Sequence, residues 1–154
     1  MICKLNELIW FGDKASVKEG MDHVGSVINA ASTIRRPYWD WVGKLDWKVW
    51  YFHMGCPDRI PVDWTYVELL KAVVYLIRQG RKFPLLCHCK AGGHRGPTAA
   101  VFAYWCIHDQ TEKALDEAIR LVEKHKPNYN RPSNLMVYRN SMLDYCRRYS
   151  YVTT

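Results

Sequence analysis

The residues able to do chemistry in this chain are concentrated in His88-Cys89-Lys90-Ala91-Gly92-Gly93-His94-Arg95-Gly96-Pro97-Thr98. A cysteine and an arginine stand six positions apart, with small or flexible residues between them. An apolar run, Phe83 to Cys87, leads in, and a helix-compatible run, Thr98 to Ile107, leads out. A strand, a tight glycine-bearing loop and a helix start can wrap backbone N–H groups around one oxyanion. In that arrangement Cys89 sits at the bottom of an anion cradle built from Lys90, Ala91, Gly92, Gly93 and His94, and Arg95 closes it. The chemistry this suits is transfer of a phosphoryl group onto sulfur.

A thiol attacks as its thiolate, and helix N-termini and nearby cations favour that form. Here the loop amides, the following helix start and Arg95 would supply both. A planar guanidinium binds two phosphoryl oxygens at once. Gly92 and Gly93 let the backbone take positive φ and turn its amides inward. His88 is expected to add a hydrogen bond that fixes the backbone around the cysteine. Displacement from a phosphate ester also needs a proton for the leaving oxygen. The candidate acid is Asp58, 31 positions before Cys89 in the proline-punctuated stretch Gly55-Cys56-Pro57-Asp58-Arg59-Ile60-Pro61. The alternative is that Asp58 only turns the chain ahead of the next helix.

These residues need elements to hold them. Leu8 to Phe11, Val24 to Asn29 and Trp47 to His53 read as strands, and Phe83 to His88 as a buried central one. Asp63 to Gln79 reads as a helix ending at Gly80, apolar at Val67, Leu70, Val74 and Ile77. Pro97 to His108 reads as a buried helix. Glu112 to His125 follows, with Thr111 as its N-cap. Leu135, Tyr138, Met142 and Tyr145 mark a final amphipathic helix. The expected fold is α/β, a small central sheet of about four to five strands flanked by helices, in one domain over residues 1–154.

Apolar residues make up 49% of the 154 and aromatics 14%, enough for a sizeable core. No apolar run approaches the ~20 residues of a membrane span, and a cytoplasmic location is expected. Six cysteines in a core-rich chain read as reduced thiols rather than a disulfide framework. The net charge of +7, from 22 basic against 15 acidic side chains, favours polyanionic partners: phosphorylated protein, RNA or acidic lipid.

The loop resembles that of the cysteine-dependent protein tyrosine phosphatase superfamily, which reads HCxxGxxR followed by Ser or Thr. Its compact dual-specificity branch is most similar, with HCxxGxSRSPT against His88-Cys89 through Arg95-Gly96-Pro97-Thr98. Val27-Ile28-Asn29-Ala30-Ala31 is similar to that branch's VLNAA strand end, and Lys126-Pro127 to Asn134 to its C-terminal part. Asp58 falls at the family's usual general-acid spacing. The resemblance implies a dual-specificity-phosphatase-like fold and hydrolysis of phosphotyrosine and phosphoserine or phosphothreonine in proteins. Cys89 would be the nucleophile, Arg95 the phosphoryl ligand and Asp58 the general acid, with no metal or cofactor. Relatives with the same loop act on phosphoinositides or on RNA 5′-triphosphates, so those substrates stay open.

Two positions depart from the family pattern. Gly96 replaces a hydroxyl residue that hydrogen-bonds the sulfur as it leaves, which predicts slow phosphoenzyme breakdown and faster turnover in Gly96→Ser. It also keeps open a phosphate-binding pseudophosphatase. His94 stands where many relatives have Ser or Gly, and would add charge near the substrate at acidic pH. A zinc reading of Cys87, His88, Cys89 and His94 lacks the second ligand pair such sites use. Arg35 to Trp41, aromatic and basic, suits either base stacking or simple packing. Cys56 and Cys87 are candidate redox partners of Cys89, or simply buried thiols.

Overall fold

The computed structural model describes residues 2–31, 49–56, 64–89, 95–108, 110–125 and 144. Five strands form one sheet: β1 (Cys3–Lys4), β2 (Ile9–Gly12), β3 (Ser26–Ala31), β4 (Trp50–Cys56) and β5 (Leu85–His88), in the order β1-β2-β5-β3-β4. The pair β1–β2 is antiparallel, and every other pairing is parallel. The helices are α1 (Lys14–Gly20), α2 (Trp64–Gln79), α3 (Arg95–Ile107) and α4 (Glu112–His125).

The last strand in sequence, β5, lies in the middle of the sheet. Each of its four residues is buried, as a parallel strand covered on both faces requires. Below it, Ile9, Phe11, Ile28, Leu85 and Cys87 pack with α2, α3 and α4 in the larger core. Above it, Trp10, Val27, Leu86 and Val17 of α1 form a second, smaller cluster. The connection leaving β2 therefore crosses one face and the one leaving β5 the other. Where connections diverge in this way, open α/β sheets bind ligands at the carboxyl ends of the strands.

Helix α3 is buried from Arg95 through Trp105, as its apolar circumference predicts. It begins two residues earlier than expected, at Arg95. Pro97 is tolerated because a first-turn N–H has no intrahelical partner. Thr111 caps α4 as expected, its hydroxyl accepting from the Ala114 amide at 3.2 Å. The third strand begins at Trp50 and runs to Cys56, extended by pairing with β3 up to Ala31.

Two elements have no counterpart in the sequence reading. Strand β1 has only two residues and is positioned by a turn in which Asn6 Oδ1 accepts from the Leu8 and Ile9 amides, both at 2.8 Å. Helix α1 opens on a capping box: Asp13 Oδ1 accepts from the Ser16 amide at 3.0 Å, and the Asp13 amide donates to Ser16 Oγ at 3.1 Å. Among the described residues no helix is long and apolar enough to cross a membrane. Apart from Asp144, which is helical, the final helix falls outside the described residues, as do Arg35 to Trp41 and Lys126 to Asn134.

Candidate active site

Cys89 follows β5 directly and is 2% exposed. It packs in the smaller cluster with Trp10, Val27 and Leu86, whereas Cys87 lies in the larger core on the other face. The chain thus turns as β5 ends, and the two thiols belong to different sides of the sheet. Burial pushes the Cys87 thiol up, which keeps it protonated. Among the described residues Cys3, Cys87, Cys89 and Cys106 form no disulfide.

The first turn of α3 closes on this strand end. A Cβ built on Gly96 would stand 3.1 Å from the Cys89 nitrogen and 3.0 Å from the His88 Cα. Arg95, one residue earlier in the same turn, is 8% exposed. Its Nε is buried with no hydrogen-bond partner among the described residues. A buried guanidinium N–H is costly unless something accepts from it. The first turn of α3 carries no acidic side chain, so no carboxylate of its own offsets the positive end of its dipole. The helix terminus and Arg95 together make this strand end suited to an anion.

His88 is fully buried, and its Nδ1 donates to the Cys89 carbonyl oxygen at a long 3.4 Å. Only a ring protonated at Nδ1 can make that bond. Burial lowers the His88 pKa from 6.5 to about 4, against smaller upward effects of the Cys89 carbonyl and Asp13. The imidazole is therefore neutral near neutrality, and holds backbone rather than supplying charge. Asp13, just after the β2 residue Gly12 that pairs with His88, is lowered overall: burial raises it, but hydrogen bonds from Ser16 outweigh that.

One further support was not anticipated. Asn29 pairs in register with His88 across β3 and β5 and is fully buried. Its Nδ2 donates to the Tyr51 hydroxyl at 2.9 Å, while its Oδ1 accepts from the Ala31 amide at 2.9 Å. Burial raises the Tyr51 pKa, opposed by the Asn29 hydrogen bond, so Tyr51 stays a neutral hydroxyl. The signal in the sequence is a single amide side chain inside an otherwise apolar or small-residue strand. Asp58, Lys90, Ala91, Gly92, Gly93 and His94 fall outside the described residues. No group of three His, Cys, Asp or Glu among the described residues is placed to hold a metal.

No protein-family model matches the chain, and no curated protein matches it. Solved structures do. A variant of Tk-PTP is 19% identical over 97% of each chain, with a TM-score of 0.71. A variant of human DUSP28 is 12% identical, covering 98% of this chain and 94% of its own, with a TM-score of 0.68. PTPMT1 in complex with PI(5)P is 19% identical, covering 96% and 97%, with a TM-score of 0.65. The five-stranded mixed sheet flanked by helices, with β5 at its centre, is the fold the chain shares with the solved structures of Tk-PTP and human DUSP28.

Proposed function

We propose that the chain is one catalytic domain, a cysteine-dependent phosphatase acting on phosphate monoesters. The observation that carries this is the meeting of Cys89 with the first turn of α3, where a buried Arg95 keeps an N–H without a partner among the described residues. In the reaction, the Cys89 thiolate attacks phosphorus and the bond to the leaving oxygen breaks. Asp58 protonates that oxygen, and Arg95 with the loop amides of Lys90 to His94 holds the phosphoryl oxygens. Water then attacks the phosphocysteine with Asp58 as base, the S–P bond breaks, and thiolate and inorganic phosphate form.

Phosphotyrosine and phosphoserine or phosphothreonine in proteins are the substrates that the compact form of the fold favours, since Tk-PTP and DUSP28 neighbour it. A second reading, phosphoinositides, draws on the neighbour solved with PI(5)P. The test is hydrolysis of a small aryl phosphate by wild type, Cys89→Ser and Asp58→Asn. The mechanism requires no rate in the first variant and a reduced rate in the second. A wild type that binds phosphate without turnover would leave a pseudophosphatase.

A further inference from the structure

We propose, on the reading of the chain as a phosphatase with Asp58 as its acid, that His53 is a positioning residue: by clasping the end of β3 it fixes where β4 leaves the sheet on its way to Asp58. Along β4 the side chains alternate, as a strand requires. Phe52 and Met54 pack in the larger core, and Tyr51 packs against the smaller cluster that holds Cys89. His53 therefore stands on the Cys89 face. It pairs in register with Asn29, and Asn29 pairs with His88 on its other side. The three form one row across β4, β3 and β5, and the residue after this row on β5 is Cys89.

Beyond the row the pairing of β3 with β4 shifts. Asn29 faces His53 but Ala31 faces Cys56, so three residues of β4 advance against two of β3. Such a bulge leaves one residue unpaired and bends the strand that carries it. Here side chains supply what the ladder gives up. The Ala31 amide donates to Asn29 Oδ1 at 2.9 Å, and the Ala31 carbonyl oxygen accepts from His53 Nε2 at 2.8 Å. Asn29 in turn donates to the Tyr51 hydroxyl at 2.9 Å. His53 is the member of this clasp that is exposed to solvent, so its ring fills no core space and its bond to Ala31 is what it contributes. Asp58 is two residues beyond Cys56, so its Cα lies within about 7 Å of that strand end. A displacement of the strand end is carried to the Asp58 carboxyl, and proton transfer weakens when donor and leaving oxygen are misplaced.

The test compares kcat/KM on phenyl phosphate, a poor leaving group that needs the proton, with p-nitrophenyl phosphate, a good one that needs it less. This quantity is set before phosphoenzyme breakdown, so Gly96 does not enter it. His53→Ala is expected to lower it on phenyl phosphate by about tenfold and on p-nitrophenyl phosphate by no more than about threefold. His53→Gln, whose amide can donate to the same carbonyl, should recover most of the loss. In the Asp58→Asn protein, His53→Ala should lower phenyl phosphate hydrolysis by less than about twofold further, because both changes act through one proton. Equal losses on the two esters, an undiminished loss in the Asp58→Asn background, or no recovery in His53→Gln would assign His53 to folding or to substrate contact and overturn the proposal. So would unchanged kinetics in His53→Ala. Failure of the underlying reading looks different. Cys89→Ser retaining the wild-type rate removes the phosphatase mechanism, and Asp58→Asn affecting both esters equally removes the acid; either takes this proposal with it.

Discussion

A side chain added at Gly96 would press on the backbone of Cys89: the Cβ would lie 3.1 Å from its nitrogen and 3.0 Å from the Cα of His88. The partners are main-chain atoms of the strand end that bears the thiol. They cannot rotate aside as a flexible side chain would. The missing hydroxyl at position 96 is therefore only half of what glycine does there. Its missing Cβ is what lets the first turn of α3 approach Cys89 so closely.

This separates two effects that the sequence merges. Gly96→Ala displaces the strand end by a few tenths of an ångström and adds no hydroxyl. It should lower kcat on an aryl phosphate by about tenfold, since small misplacements of reacting groups are costly. Gly96→Ser carries the same displacement together with the hydroxyl, so it should turn over faster than Gly96→Ala. The rise over wild type expected from sequence appears only where the hydroxyl's gain in phosphoenzyme breakdown exceeds that displacement. Equal steady-state rates for the two variants would remove the hydroxyl argument.

Stability should fall in mildly acidic solution because of His88. Its folded pKa of about 4 is below the ordinary 6.5, so the unfolded chain binds the extra proton between those values. Stability from this source is complete above pH 6.5, is lost as pH falls toward 4, and changes little further below that. At about 1.4 kcal/mol for each tenfold, the loss is about 3 kcal/mol. Asp13, held below 3.8, keeps its stabilising contribution through that window and loses it only as pH falls below it. Denaturant midpoints at pH 7 and pH 4.5 check it: the drop should shrink in His88→Gln, and an undiminished drop would assign it to other groups.

The large elements were legible because their periodicity is strong: α2, α3, α4 and the buried run ending at His88 all stand where the apolar spacing puts them. Cys89 and Arg95 were singled out by residue type and loop length; the structure adds that the strand end bearing Cys89 meets the first turn of α3, which carries Arg95. What escaped lacks periodicity. Helix α1 has seven residues with one large buried apolar side chain, Val17, and rests on its Asp13–Ser16 cap. Strand β1 exists only because β2 offers it an edge. Asn29 and Tyr51 are 22 positions apart and meet through parallel pairing, which spacing along the chain does not reveal.

Gly80 illustrates a correct boundary with a different cause. It follows α2 as predicted, yet the left-handed residue is Arg81, at φ 53°. Gly80 is instead needed by Trp50, whose indole ring occupies the space a Cβ at position 80 would fill. Gly80→Ala should therefore cost about 1–3 kcal/mol through overpacking. Arg81→Gly should be neutral or stabilising by up to about 1 kcal/mol, since it relieves a positive φ. Urea denaturation distinguishes this from an ordinary glycine cap through Arg81→Gly: a measurable gain places the left-handed residue at Arg81, and no gain would return that role to Gly80.

The hydrogen bond from Asn29 to Tyr51 ties the edge strand β4 to β3, and Asn29 in turn is the register partner of His88. Asn29→Ala removes that bond and the acceptor of the Ala31 amide, both in a buried setting. It should destabilise the chain by about 2–3 kcal/mol. Tyr51→Phe removes only the hydroxyl and should cost about 1 kcal/mol. In the double variant the two losses should fall short of additivity by about 1 kcal/mol, because they share one interaction. Strict additivity would mean that the bond contributes nothing. If Asn29 supports the thiol through β5, Asn29→Ala should also lower kcat on an aryl phosphate at a temperature where it is fully folded, whereas Tyr51→Phe, farther from His88, should lower it less.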